Sequence, residues 1–131
     1  MLPFTLDTFR ISLHVLAVTV WVGGQIVLAA LVPVLREIGG DAPKQAAQRF
    51  GQVSWPFFGL AVLTGIWNLL EVPSGSTSEY QATLGLKILL VVASGFAAFV
   101  HTRTPSPAVR GATGGIGLLA ALGALVLGVM L

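Results

Sequence analysis

Four side chains that could do chemistry lie in one apolar stretch near the start of the chain: Arg10, His14, Trp21 and Gln25. They stand at i, i+4, i+11 and i+15, which places them on one stripe of an α-helix. A polar side chain is costly in hydrocarbon and turns toward protein or a water-filled cavity, so we expect the stripe to face other helices. We predict a site here with His14 as metal ligand. The alternative is that His14 and Gln25 only hydrogen-bond neighbouring helices.

The composition is typical of a membrane protein. Of the 131 residues, 55% are hydrophobic and 9% are charged, against roughly 25% charged residues in a soluble domain. Apolar runs of about 20 residues recur, and each is long enough to cross ~30 Å of hydrocarbon. The sequence therefore predicts an all-α fold in a lipid bilayer, a single domain over residues 1–131 built as a four-transmembrane-helix bundle, with spans at about 8–35, 53–71, 80–101 and 111–131.

Charge and cysteine content exclude several classes of function. The net charge is +2, and the basic residues are scattered over short loops, so we expect no nucleic acid partner. The chain has no cysteine, which excludes disulfides, thiolate metal sites and redox thiols. The first apolar run is too long for a cleavable signal peptide.

Capping and turn residues predict where the helices begin. Asp7 or Thr8 is expected to cap the first helix, where a carboxylate also suits the helix dipole. Asp41, followed by Pro43, predicts that the second helix begins well before its apolar part. The prolines within residues 102–110 predict a loop there.

The last span consists largely of glycine and alanine. Small residues stand four apart at Gly111 and Gly115, and again at Ala120, Ala124 and Gly128. This pattern permits close approach of another helix, either within the bundle or from a second copy of the chain.

The distribution of basic residues predicts the orientation in the membrane. With four spans, the loops after the first and third helices lie on one side. These loops and their flanks hold five of the seven Lys and Arg residues: Arg36, Lys44, Arg49, Arg103 and Arg110. By the positive-inside rule this side is cytoplasmic, and both termini are extracytoplasmic.

This orientation brings the polar side chains of three spans to a similar depth. His14 lies ~9 Å below the start of its helix, and the outer half of the bundle is expected to hold Arg10, His14, Thr64, Asn68 and Lys87. No carboxylate lies within a span, so an anionic or metal-bound ligand is an attractive partner for the two cations. A heme would fit, with iron on His14 and propionates on the cations. The alternative is that the cations snorkel or pair at the rim.

A second polar stripe, Lys87, Ser94 and His101, follows the third span at intervals of seven residues. His101 stands 14 residues from Lys87, which is ~21 Å along a helix. It therefore cannot share a mononuclear site with His14, and we place it at the inner interface beside Arg103. A heme ligated by two histidines would need the second from another copy of the chain.

Three segments resemble a known superfamily. LHVLAVTVWVGG in the first span, TGIWNLL in the second and LGLKILLVVASGFAAFVHTR in the third are similar to the CopD-like and HemJ-like small integral membrane proteins, over roughly residues 8–103. Resemblance to CopD implies copper uptake or resistance at the bacterial inner membrane. Resemblance to HemJ implies a b-type heme protein acting as protoporphyrinogen oxidase, with His14 as heme ligand and Lys87 in the active site.

We therefore expect a CopD-like membrane protein of copper transport or homeostasis that binds heme b or a copper ion through His14, Lys87, Arg10 and Asn68. Copper prefers sulfur and imidazole ligands, yet the only methionines are Met1 and Met130, so copper translocation by this chain alone is poorly supported. Two alternatives remain open. One is a heme-dependent oxidase, and the other is a non-catalytic subunit of a larger membrane complex or a homo-oligomer.

Overall fold

The structure is a computed structural model that describes all 131 residues. It has no strand, and every helix is long and apolar enough to cross a membrane. The four helices are α1 (Leu6–Ile38), α2 (Ala42–Leu70), α3 (Ser78–Arg103) and α4 (Pro107–Met130). The predicted all-α fold with four membrane-length helices is confirmed. The chain forms two compact units, Met1–Val72 and Pro73–Leu131, and each is described by itself. A single domain over residues 1–131 stays a prediction.

The first helix begins earlier than expected. Thr5 is its N-cap, and its hydroxyl accepts from the Thr8 backbone N–H at 3.1 Å. In return the Thr5 N–H donates to the Thr8 hydroxyl at 3.3 Å, which completes a capping box. The prediction that Asp7 or Thr8 caps α1 is wrong, because this reciprocal pair already satisfies the helix end. Asp7 instead lies in the first turn, where its charge suits the helix dipole.

The turn between α1 and α2 agrees with the sequence prediction. Asp41 is the N-cap of α2 and Pro43 lies in its first turn, so the second helix does begin before its apolar part. The preceding Gly39 and Gly40 have φ values of 81° and 55°. A side chain rarely adopts this left-handed region, which explains the two glycines at the turn.

The loop before α4 is shorter than the prolines predicted. Ser106 caps α4 by accepting from the Val109 N–H at 3.3 Å, and Pro107 is the first residue of the helix. Proline is tolerated in a first turn because the N–H it lacks would have no partner there. The predicted loop over residues 102–110 is therefore wrong in extent.

In the first unit, α1 and α2 pack antiparallel as the α1–α2 hairpin. Arg10 near the start of α1 contacts Asn68 near the end of α2. One side of the hairpin is aromatic, because the Trp21 ring centroid lies 4.4 Å from that of Phe58 and 5.3 Å from that of Trp55. The polar contacts are therefore at the end of the hairpin away from its turn, with the aromatic cluster between them and the turn.

In the second unit, α3 and α4 form the α3–α4 hairpin, which packs through small residues. A Cβ built on Gly117 would lie 3.4 Å from Cβ of Ala97, so the two backbones approach closely. Gly114 and Gly128 also face side chains of α3. The prediction that small residues allow close packing is correct for Ala120 and Ala124, which are buried. A Cβ on Gly111 or Gly115 would meet open space, so these two glycines do not pack against α3. Close approach of a second copy of the chain at Gly111 and Gly115 stays a prediction.

The buried side chains are small or polar, whereas most large apolar side chains point outward. Ser94, Ser54 and Thr64 are only 1%, 2% and 4% exposed, and Trp21 is the one large apolar residue among the buried ones. In lipid the hydrophobic effect does not drive helices together, so their contacts use close backbone packing and hydrogen bonds. This distribution suits helices surrounded by a bilayer.

Candidate functional site

The guanidinium of Arg10 is the most buried charged group in the chain. Arg10 is 9% exposed. Its Nη2 donates to Asp7 Oδ1 at 3.0 Å in a salt bridge within the first turns of α1. Its Nη1 donates to Asn68 Oδ1 on α2. Asp7 thus supplies the counter-ion for this cation. That Arg10 and Asn68 bind a cofactor stays a prediction.

One turn further along α1, the half-buried imidazole of His14 lies against α2. Its Nδ1 is 2.8 Å from Thr64 Oγ1. A Cβ on the neighbouring Gly65 would lie 3.4 Å from His14 Cε1, so the ring packs directly on the α2 backbone. Sequence reasoning did not identify Gly65. The available signal was a glycine next to the threonine in TGIWN, three residues before Asn68.

The spacing of the residues explains why these contacts form together. Arg10 and His14 are four residues apart on α1, and Thr64 and Asn68 are four apart on α2. Residues four apart share one face of a helix. When two helices run antiparallel, the first residue of one pair meets the second of the other. The structure therefore brings these four residues together, as the sequence predicted for this end of the hairpin.

The remaining residues of the stripe lie deeper along α1. Trp21 is 6% exposed and belongs to the aromatic cluster with Trp55 and Phe58. Gln25 Nε2 donates to the Trp21 backbone carbonyl at 3.0 Å, so the amide bonds within its own helix. These ring contacts and this hydrogen bond lie within the α1–α2 hairpin.

Lys87 belongs to the α3–α4 hairpin, where its side chain lies across a glycine of α4. A Cβ on Gly128 would lie 3.2 Å from Lys87 Nζ and 3.4 Å from its Cε. Glycine at this position therefore leaves the room that the lysine side chain occupies. That Lys87 joins His14 and Asn68 in one pocket stays a prediction.

His101 lies at the opposite end of α3. Its Nδ1 donates to the Arg110 carbonyl at 2.7 Å, and a Cβ on Gly114 would lie 3.2 Å from the ring. Arg110 in turn donates from Nη2 to the Thr104 carbonyl at 3.0 Å. These bonds tie the end of α3 to the start of α4, which is a structural use of the second histidine.

The donor chemistry limits which metal groups this chain could hold. No three of its His, Asp and Glu side chains form a cluster that could bind a metal ion. A copper ion at His14 would have one imidazole ligand, a donor type that copper prefers. A heme iron brings the four nitrogens of its porphyrin, so His14 would be the residue to hold it through its imidazole.

Comparison with known protein families identifies a family for this chain. The model of one family, described as CopD: Copper resistance protein D, matches residues 44–131. The match covers Thr64, Asn68 and Lys87, and begins after Arg10 and His14. No curated protein and no solved structure matches the chain. The predicted resemblance to CopD is confirmed, and the resemblance to HemJ stays a prediction.

Proposed function

This chain belongs to the copper resistance protein D family, and from that membership we propose that it is a membrane protein of copper homeostasis that contacts copper through His14. The observation that supports this choice is the placement of the imidazole. His14 is half-buried in a membrane-length helix and is held against α2 beside Thr64 and Gly65. Imidazole is a good ligand for copper, and the chain has no thiolate to compete with it.

The proposed site lies in the extracytoplasmic half of the membrane. His14 is eight residues into α1, which is ~12 Å along the helix. The turn at the other end of the α1–α2 hairpin is flanked by Arg36, Lys44 and Arg49. By the positive-inside rule this turn is cytoplasmic, so the His14 end faces outward.

Cysteine labelling tests this orientation, because the natural chain has no cysteine. Single variants Ser76→Cys and Ser106→Cys place one thiol in each of two loops on opposite sides. A membrane-impermeant maleimide added to intact cells should label Ser76→Cys and leave Ser106→Cys unlabelled until the cells are lysed. Labelling of Ser106→Cys alone in intact cells would show that the chain has the opposite orientation in the membrane.

Metal analysis tests the role of His14. The protein, purified in mild detergent, is incubated with Cu(I), passed through a desalting column and analysed for copper. We expect His14→Ala to lose the copper that the natural chain retains. His101→Ala is the matched control, since it removes the other histidine and should retain copper. Equal copper in the natural chain and His14→Ala would overturn the proposal.

A heme-dependent oxidase is the second candidate, and one observation favours it. The proposed site offers a single imidazole, that of His14, without a cluster of further His, Asp or Glu ligands, and one protein ligand would suffice for an iron whose other ligands come from a porphyrin. Protein purified from heme-replete cells should then be coloured, with a Soret band that His14→Ala abolishes. A colourless preparation would count against this candidate.

The single imidazole of His14 at the proposed site also suggests that the protein binds copper together with a partner. Copper held by one protein ligand needs others, so we propose that a second copy of the chain or another membrane protein completes the site. Co-purification from mild detergent distinguishes the two. A larger complex should retain other proteins in stable ratio, whereas a homo-oligomer should contain this chain alone.

A further inference from the structure

The hydroxyl of Thr64 lies at the centre of three contacts on the inner side of the α1–α2 hairpin. Its Oγ1 is 2.7 Å from the Leu60 carbonyl oxygen and 3.2 Å from that of Ala61. The same Oγ1 is 2.8 Å from His14 Nδ1. Thr64 is 4% exposed, so water does not easily replace these partners.

The location of the protons follows from what each group can donate. A hydroxyl has one proton and two lone pairs, whereas a carbonyl oxygen can only accept. The Thr64 proton therefore points to the backbone carbonyls of its own helix, with Leu60 at the shorter distance. A hydroxyl that donates to the Leu60 carbonyl accepts from His14, and this arrangement places the proton between the two side chains on Nδ1. In the neutral ring, Nε2 is the nitrogen that carries the lone pair.

We propose that Thr64 is a positioning residue that holds His14 as the Nδ1–H tautomer and presents Nε2 as the metal-ligating nitrogen. This inference rests on the proposed function of His14 as a ligand. Metal-ligating histidines characteristically donate their other ring N–H to a protein acceptor, which fixes the tautomer and the ring orientation. Gly65 contributes to the orientation, because the ring edge at Cε1 packs where a side chain would stand.

The tautomer can be measured without any metal. We suggest ¹⁵N-histidine labelling of the metal-free protein in detergent, with long-range ¹H–¹⁵N spectra recorded at a pH where His14 is neutral. The spectra of His14→Ala and His101→Ala assign the two rings. We expect the His14 spectrum to show a protonated Nδ1 and an unprotonated Nε2. The opposite tautomer in the natural chain would overturn the inference.

Two substitutions separate the hydroxyl from the shape of the side chain. Thr64→Val has nearly the same shape but accepts no hydrogen bond, so the His14 ring should lose its preference for the Nδ1–H tautomer. Thr64→Ser keeps the hydroxyl and should keep the natural spectrum. Thr19→Val is the matched control, because Thr19 makes the same type of bond to the carbonyl four residues earlier without a histidine contact. An unchanged His14 spectrum in Thr64→Val would also overturn the inference.

Copper titration of the same variants links the tautomer to binding. Loss of a partner that orients a metal ligand typically weakens metal affinity roughly 10–100-fold, and we expect a loss in this range for Thr64→Val. Thr64→Ser and Thr19→Val should bind like the natural chain. Equal affinity in Thr64→Val and the natural chain would refute the positioning role. Equal copper in His14→Ala and the natural chain would instead refute the proposed function, with the tautomer measurement still standing.

Discussion

The bond between Arg10 and Asn68 should make a measurable contribution to the stability of the α1–α2 hairpin. The substitution Asn68→Leu keeps the approximate size of the side chain and removes the α2 acceptor of the Arg10 guanidinium. Arg10 is 9% exposed and would keep only Asp7 of the two partners described above. The perturbation therefore isolates one interhelical hydrogen bond to a buried cation.

Two ranges of hydrogen-bond free energy are relevant to the stability that Asn68→Leu should lose. A hydrogen bond to a charged group contributes ~1.5–3 kcal/mol in soluble proteins, whereas interhelical bonds in membranes average ~0.6 and reach ~1.7 kcal/mol. Burial of Arg10 favours the upper part of the membrane range. The Asp7 side chain, however, is 71% exposed, so the guanidinium has water close by and can partly reorient toward it. We expect a loss of ~1.4 kcal/mol, about tenfold in the folding equilibrium.

A double-mutant cycle measures this contact. The natural chain, Arg10→Gln, Asn68→Leu and the double variant are unfolded with SDS in mixed micelles, and unfolding is followed by tryptophan fluorescence. Trp21 is a suitable reporter, because it packs between the two helices against Trp55 and Phe58. The double variant should cost less than the two single changes added together, with a coupling energy of ~1 kcal/mol.

A matched variant controls for changes in shape. Asn68→Asp keeps an acceptor and adds a negative charge, so it should retain or raise stability beside the buried cation. A cost of Asn68→Leu below ~0.3 kcal/mol, together with additive effects of the two single variants, would show that Arg10 and Asn68 do not stabilise the hairpin through their contact, since additivity indicates residues that do not interact.

Three further substitutions test the packing of the two hairpins. A Cβ on Gly24 would lie 2.5 Å from Cε2 of Phe50, so Gly24→Ala should destabilise the protein by ~1–3 kcal/mol. Gly115→Ala meets open space and should leave SDS unfolding unchanged or slightly delayed, and equal destabilisation by both variants would contradict the register. His101→Ala removes the 2.7 Å bond to the Arg110 carbonyl and should lower stability in detergent by ~1 kcal/mol. A melting temperature equal to that of the natural chain would show that this bond does not hold α3 to α4.

The helices could be predicted because the hydrophobicity and the capping residues of each short stretch of sequence determine where a helix forms. An apolar run of ~20 residues predicts a span wherever it occurs, and Asp41 with Pro43 signalled a helix start ahead of the apolar part. The two wrong predictions of helix ends, at the start of α1 and at the start of α4, also concern residues close together in the sequence. Thr5 precedes an exposed and unremarkable segment, so its reciprocal bond with Thr8 was not anticipated. Pro107 was assigned to a loop although a first helical turn accepts proline.

Side-chain partners were less predictable, because they depend on how two helices are rotated against each other. Each residue turns a helix by about 100°, so a small change in rotation replaces one contact row by another. In α4 nearly every face offers glycine or alanine, and the row against α3 includes Gly114 and Gly117 instead of Gly111 and Gly115. On α1 the polar residues were few, so only one row was possible. The proximity of His14 and Thr64 could therefore be predicted, whereas the packing of the His14 ring against Gly65 could not.

The salt bridge between Asp7 and Arg10 has a consequence for biogenesis. The two residues are three apart on the same helix, so the pair can form as soon as the first turns of α1 exist, before α2 has been synthesised. Under the proposed orientation this end of α1 must cross the membrane during insertion. A cation that travels with its own carboxylate presents almost no net charge to the translocation machinery or to the membrane potential. Asp7→Asn should accordingly slow insertion of the nascent chain even where the finished protein tolerates the change.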